Sequence, residues 1–71
     1  MNMIPVSSSD IVAVGYDEDT LTLQVEFKDG RTYQYFDIPK HVYEGLLNPP
    51  DGSHGIYLSQ HIKGQYRYAK L

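Results

Sequence analysis

The residues best equipped for chemistry lie in the last third of the chain. Lys63, Arg67 and Lys70 are interleaved there with Tyr66 and Tyr68, and no acid stands among them. Cations that reach solvent together neutralise phosphates, and tyrosine rings between them stack on unpaired bases. Lys63, Tyr66, Arg67, Tyr68 and Lys70 therefore form the candidate nucleic-acid-binding set, with RNA as the partner. Tyr33-Gln34-Tyr35 and Tyr66-Arg67-Tyr68 are both Y-x-Y, so in extended backbone each pair shows its rings on one side. Tyrosine also suits protein interfaces, and buried rings with hydroxyls at the rim suit a core. A protein-interaction or self-associating module, with the seven tyrosines mainly structural, is thus the alternative to RNA binding.

Other constellations point away from catalysis and metals. His41, His54 and His61 contain no H-x-x-x-H pair, and His54 and His61 would lie about 10 Å apart along a helix, too far to share an ion. The loop opened by Asp17, Glu18 and Asp19 has leucine at its fifth position, no glycine at its sixth and no glutamate at its twelfth, which excludes an EF-hand. Ser7-Ser8-Ser9 lacks the strand–turn–helix elbow of a hydrolase nucleophile, and neither phosphate-binding glycine motif occurs. Without cysteine there is no disulfide, thiolate ligand or thiol nucleophile. The expectation is a non-enzymatic domain with no cofactor and no metal.

Charge sharpens the contrast between the two ends. The net charge is −3 and the isoelectric point about 5.4, which disfavours a strong nucleic-acid binder. All nine acids and three of the six bases precede Gly52, while the remaining three bases follow it with no acid. Asymmetry of this kind marks an interaction face. Met1 to Val6 has neither the basic start nor the apolar run of a secretory leader, and no stretch is long and apolar enough to span a bilayer, so a cytoplasmic location is expected. At 71 residues the chain is one small domain, for which burial gains and ordering costs nearly cancel.

The elements that must position these residues follow from periodicity. Residues 1–10 read as an extended lead-in, interrupted by Pro5 and a polar serine run. Ile11–Tyr16 predicts a first strand and Leu21–Lys28 a second, with Leu21, Leu23, Val25 and Phe27 alternating against polar residues. Asp29-Gly30 signals a hairpin into a third strand from Arg31 to Asp37. Gly30 in a G1 bulge sets Phe27 opposite Arg31, Val25 opposite Tyr33 and Leu23 opposite Tyr35, which keeps aromatics over aliphatics. In the first hairpin, a loop over Asp17–Thr20 sets Val14 opposite Leu23 and Val12 opposite Val25. The expected apolar face is Val12, Val14, Tyr16, Leu21, Leu23, Val25, Phe27, Tyr33 and Tyr35. Phe36 falls on the polar face unless the tail covers it.

A helix begins at Pro39, with Val42, Tyr43, Leu46 and Leu47 forming its apolar stripe, and a second short helix runs from Ser53 to about Ile62. Gln65–Leu71 is an extended tail. The predicted fold is α+β: a three-stranded antiparallel meander with one or two helices packed on one face.

The ordered set Val6-Ser7-Ser8-Ser9, Val14-Gly15-Tyr16-Asp17, Leu23-x-Val25-x-Phe27, Gly30-x-x-Tyr33-x-Tyr35, Ile38-Pro39-x-x-Val42-Tyr43, Ser53-x-Gly55-x-Tyr57 and Ile62-Lys63-Gly64-x-Tyr66 resembles the KTSC domain. The name denotes the C-terminal domain of some lysyl-tRNA synthetases, and the family also occurs as stand-alone bacterial or phage-type proteins. The resemblance covers nearly the whole chain. It implies an RNA-related role, with tRNA or single-stranded RNA as the partner, without assigning one. Pro49-Pro50-Asp51-Gly52 stands apart from it as an idiosyncratic loop.

Overall fold

Alternation of apolar and polar residues over β3 (Thr22–Phe27) makes it the centre of the sheet, and its neighbours are added by short turns. The computed structural model describes residues 1–71. β1 (Met3–Pro5), β2 (Ile11–Asp17), β3, β4 (Thr32–Tyr35) and β5 (Tyr68–Lys70) form one antiparallel sheet in the order β1-β2-β3-β4-β5. Helices α1 (Lys40–Leu47) and α2 (His54–His61) lie between β4 and β5 in the chain. The fold is α+β, but the sheet has five strands where three were expected. The lead-in and the tail both become edge strands: Ile4 pairs with Val14, and Ala69 with Gln34.

The second hairpin is built as the residue pattern requires. Leu23 opposes Tyr35 and Val25 opposes Tyr33. The Phe27 amide donates to the Arg31 carbonyl at 2.8 Å, and Gly30 sits at φ 93°. A side chain at this φ would strain the backbone, which is why the turn uses glycine.

The first hairpin corrects the expectation. Val14 opposes Val25, and Tyr16 opposes Leu23. Asp17 joins the ladder opposite Thr22 while its Oδ1 accepts the Asp19 amide at 2.9 Å, so the turn begins one residue later than expected. Leu21 belongs to that turn, at φ 56°, and is exposed rather than on the apolar face. Val12 is corrected as well. The ladder steps from Ile11–Phe27 to Ala13–Glu26, leaving Val12 as the extra residue of a bulge. The bulge turns Val12 to solvent and places Ile11 in the core, fully buried. For Val14 and Tyr16 the two-residue shift in pairing leaves the side-chain face unchanged, because sheet faces repeat every second residue.

The core joins Ile11, Val14, Leu23, Val25 and Tyr35 from the sheet to Ile38, Val42, Leu46, Leu58 and Ile62 from the helical segment. Pro39 is the N-cap of α1 rather than its first residue, and the Ser53 hydroxyl accepts the Ile56 amide to cap α2. Tyr16 and Tyr43 stack at 4.7 Å between centroids, and the Tyr16 hydroxyl donates to the Ile38 carbonyl. No helix is long and apolar enough to cross a membrane.

Burial raises the hydroxyl pKa values of Tyr16, Tyr35 and Tyr43; Glu18 adds to the effect at Tyr16, and Tyr33 and Tyr68 add to it at Tyr35. Each proton is held more tightly in the folded state. This contribution to stability is therefore complete below about pH 10, the value in the unfolded chain, and disappears as pH climbs through the higher folded values. Thermal melts should show stability falling steeply above about pH 10. Tyr35→Phe should flatten that fall, and an unchanged pH profile in Tyr35→Phe would show that the buried hydroxyl contributes nothing to it.

Candidate nucleic-acid interface

Tyr33 is the hub of an aromatic cluster on the helix side of the sheet. Its ring meets Phe27 edge-on at 5.8 Å, stacks on Tyr35 at 6.3 Å and tilts against Tyr68 at 5.8 Å. The cluster exists because β3, β4 and β5 put these positions on one face, with Tyr35 directly opposite Tyr68. Tyr35 is buried, whereas Tyr68, on the edge strand, is 61% exposed. One ring of the cluster is thus open to a ligand while the others hold it in place.

Beside this cluster runs a groove of about 920 Å³ between the sheet and α2. Phe27, Tyr33 and Tyr68 contribute to its aromatic wall, and Lys28, Arg31 and Lys63 supply cations. The hairpin tip carries the first two cations, and the turn after α2 carries the third. Lys63 Nζ lies 5.3 Å from the Phe27 ring centroid, a cation–π distance. Arg31 is forked onto Asp29, with Nε at 2.7 Å and the terminal nitrogen at 2.6 Å from Oδ2. Hydrogen bonds from Arg31 hold the Asp29 carboxyl below the usual carboxylate range. Lys28 and Lys63 make no salt bridge, so their charge is available to an anion. With Asp10 and Asp29 as the acids, three cations against two leave the groove with a net charge of +1.

The acids of the β2–β3 turn lie elsewhere. Asp17, Glu18 and Asp19 line a second, shallower hollow with Met1, Asn2 and Tyr16, and Glu18 pairs with Lys40 at 2.6 Å. The negative net charge of the chain is therefore not spread over the groove.

The five residues proposed from the sequence do not stay together. Lys63 and Tyr68 line the groove. Lys70 opposes Tyr33 in the ladder, on the same sheet face, and has no acidic partner. Arg67 faces the opposite side of the sheet, where it lies 5.4 Å from the Phe36 centroid and pairs with Asp37 at 3.1 Å. Alternation along an extended chain forces this separation from Tyr68. Tyr66 packs, half-buried, against the core. The tail also covers Phe36, as its position on the polar face required.

Phe27, Lys28, Arg31 and Tyr33 join the groove without having been in the proposed set. Their signal was the pair of cations flanking Asp29-Gly30, at the tip of a hairpin whose apolar face ends in Phe27. The histidines are dispersed: His54 Nδ1 lies 2.7 Å from the Leu46 carbonyl, His61 packs on Tyr57, and His41 is exposed. No three His, Cys, Asp or Glu side chains group to hold a metal.

An antiparallel sheet backed by two helices, with an aromatic groove rimmed by cations, defines a small α+β domain. The chain belongs to the KTSC domain family, whose model matches residues 7–66. It is 41% identical over 69 residues to a lysine–tRNA ligase of Nostoc sp., covering 97% of this chain but 12% of the ligase. A protein of Tsukamurella paurometabola matches along its whole length, 36% identical over 69 residues. The crystal structure of a KTSC domain protein from Yersinia pestis superposes with a TM-score of 0.89 at 34% identity, covering 99% of this chain and 96% of that one. The chain thus spans only a small part of the ligases it matches and nearly all of the other two proteins.

Proposed function

We propose that this domain is a non-enzymatic RNA-binding module that takes single-stranded RNA in the groove between α2 and the sheet. The observation that carries the reading is the placement of the exposed Tyr68 ring beside Lys28, Arg31 and Lys63 in one open groove. Phosphates would sit against the lysines, and an unstacked base would lie on Tyr68, whose far side is braced by Tyr33 and Tyr35. The similarity to lysine–tRNA ligases supports RNA over other polyanions, because some of the proteins that carry a related segment are lysine–tRNA ligases. Compared with the set read from the sequence, Arg67 and Tyr66 leave the interface, and Lys28 and Arg31 enter it.

The test is a titration with tRNA and with single-stranded RNA, read by NMR shifts at several salt concentrations. Shifts should cluster at Lys28, Arg31, Lys63 and Tyr68. Removing Lys28 or Lys63 should lower the salt slope by about 0.7 each, nearly independently of sequence. Tyr68→Ala should weaken binding by about 1–3 kcal/mol and leave the slope alone. Absence of binding at about 20 mM salt, where screening is weak, would refute the proposal. Concentration-dependent shifts at Tyr68 without RNA would instead assign that ring to contact between copies of the chain.

A further inference from the structure

The bases near the open Tyr68 ring lie to one side of it. Arg31, Tyr33 and Tyr35, at alternate positions, line the groove, and the ladder sets Lys70 opposite Tyr33 and Tyr68 opposite Tyr35. Lys70 thus stands on the edge strand between the hairpin tip and Tyr68, one two-residue step of roughly 7 Å from the Tyr68 level. The Phe36 amide donates to the Arg67 carbonyl and the Leu71 amide to the Thr32 carbonyl. Tyr33–Lys70 and Tyr35–Tyr68 are therefore the non-hydrogen-bonded pairs of this ladder, in which side chains approach most closely. Lys70 is exposed and makes no salt bridge. Lys28, Arg31 and Lys63 follow in the same direction, around the tip. Past Tyr68 the other way the free charge ends: Arg67 is turned to the far face onto Asp37, and Lys40 pairs with Glu18.

Resting on the RNA reading, we infer that Lys70 binds the phosphate that links the nucleotide stacked on Tyr68 to its neighbour toward the hairpin tip, and that the phosphate on the other side of that nucleotide is not held. An RNA strand then runs along β4 and β5 rather than across them. The ladder acts as the ruler: an extended single strand advances by about one two-residue step per nucleotide, so a phosphate beside Lys70 is followed by one within reach of Lys28 and Lys63. A lysine suits the middle position, because its ammonium is a point charge with three donors on a flexible stem and fits a phosphate in any orientation. Tyr68 and Lys70 project from one face of the same three-residue strand, so the stacking ring and this cation reach the ligand together. The contact carries no base preference; it fixes where the backbone lies once a base is stacked.

The experiment uses a pentaribonucleotide with one adenine at its centre and abasic sugars elsewhere, so that the single base fixes the register on Tyr68. It is made with all phosphates charged, with a neutral methylphosphonate on the 5′ side of the adenosine, or with one on the 3′ side. Each version is titrated at low salt into the intact chain, Lys70→Gln and Arg67→Gln, beside a plain oligouridylate. One of the two methylphosphonates is expected to weaken binding to the intact chain by roughly two- to fivefold, as an exposed ion pair allows, and the other to leave it unchanged. Lys70→Gln should weaken the charged version by a similar factor and lose the distinction between that methylphosphonate and a phosphate. Arg67→Gln removes the same charge one strand position away from Tyr68, on the far face, and should change none of the three. A methylphosphonate effect that persists in Lys70→Gln, or equal losses in Lys70→Gln and Arg67→Gln, overturns the contact and leaves RNA binding intact. Equal losses from the two methylphosphonates overturn the one-sided grip. No binding of the oligouridylate by the intact chain overturns the RNA reading itself.

Discussion

Leu23→Ala is expected to remove most of the stability of the fold. Leu23 is fully buried in β3, the middle strand of the sheet, opposite Tyr16 on one side and Tyr35 on the other. Truncating a core leucine costs about 2–5 kcal/mol, the upper part of the range applying where the surroundings cannot collapse. Here the flanking positions are rings, and Tyr16 is held by its bond to Ile38 and its stack on Tyr43, so collapse is restricted. A domain of this size has a total stability of only about 4–10 kcal/mol at the usual value per residue. Urea denaturation should show the midpoint of Leu23→Ala reduced by roughly half or more. Leu21→Ala is the control: two residues away but exposed and in a turn, it should change stability by no more than about 0.5 kcal/mol. Comparable losses in the two variants would contradict the burial pattern of β3.

Gly45→Ala is the second substitution with a large expected effect, and its direction is opposite to helix propensity. Alanine favours a helix over glycine by about 1 kcal/mol, so an exposed site on α1 would gain from the change. At Gly45, however, a Cβ would lie 2.1 Å from the Tyr57 hydroxyl oxygen and 2.5 Å from its ring carbon Cζ. Tyr57 belongs to α2 and packs at 4.4 Å on His61, so the ring has to swing away or the two helices have to part. Overpacking of this kind costs about 1–3 kcal/mol, enough to outweigh the propensity. Tyr57→Ala in the same chain should remove the clash and restore the helical gain. The double variant should therefore be more stable than the sum of the two single changes allows. If Gly45→Ala raised the melting temperature by itself, close packing of the helices at this point would be wrong.

The legible parts of the fold are those where side-chain pattern and turn chemistry agree. β3 alternates, and Asp29-Gly30 closes a turn whose bulge brings Val25 to Tyr33, so the second hairpin could be written residue by residue. The first hairpin carried two features that the pattern hides. Leu21 adopts a left-handed turn conformation that nothing about a leucine signals, and the bulge at Val12 swaps which of two adjacent apolar residues is buried. The edge strands are three residues each, too short for alternation to show, and Pro5 spoke against one of them. The groove was half legible for the same reason. Its contribution from the tail, Lys63 and Tyr68, is local in sequence, while Asp10, Lys28 and Arg31 join it only through pairing that brings the hairpin tip to α2. Arg67 and Tyr68 lie on opposite sides because neighbours in an extended chain cannot share a face.

The position of β5 in the chain has a kinetic meaning. β1 to β4 are joined by short connections, whereas β5 reaches β4 only after both helices. Loop-closure entropy makes such a pairing late to form and early to open. The edge strand is held by amides such as that of Leu71, which donates to Thr32 at 2.8 Å, and it has no neighbour on its outer side. Hydrogen exchange should therefore release Ala69 and Leu71 through a local opening well before the amides of β3. Tyr68 rides on this strand, so each opening dismantles the exposed end of the aromatic cluster. A ligand stacked on Tyr68 binds only the closed form and must slow exchange at Ala69 and Leu71 by the factor with which it saturates the groove, turning two edge amides into a native reporter of occupancy.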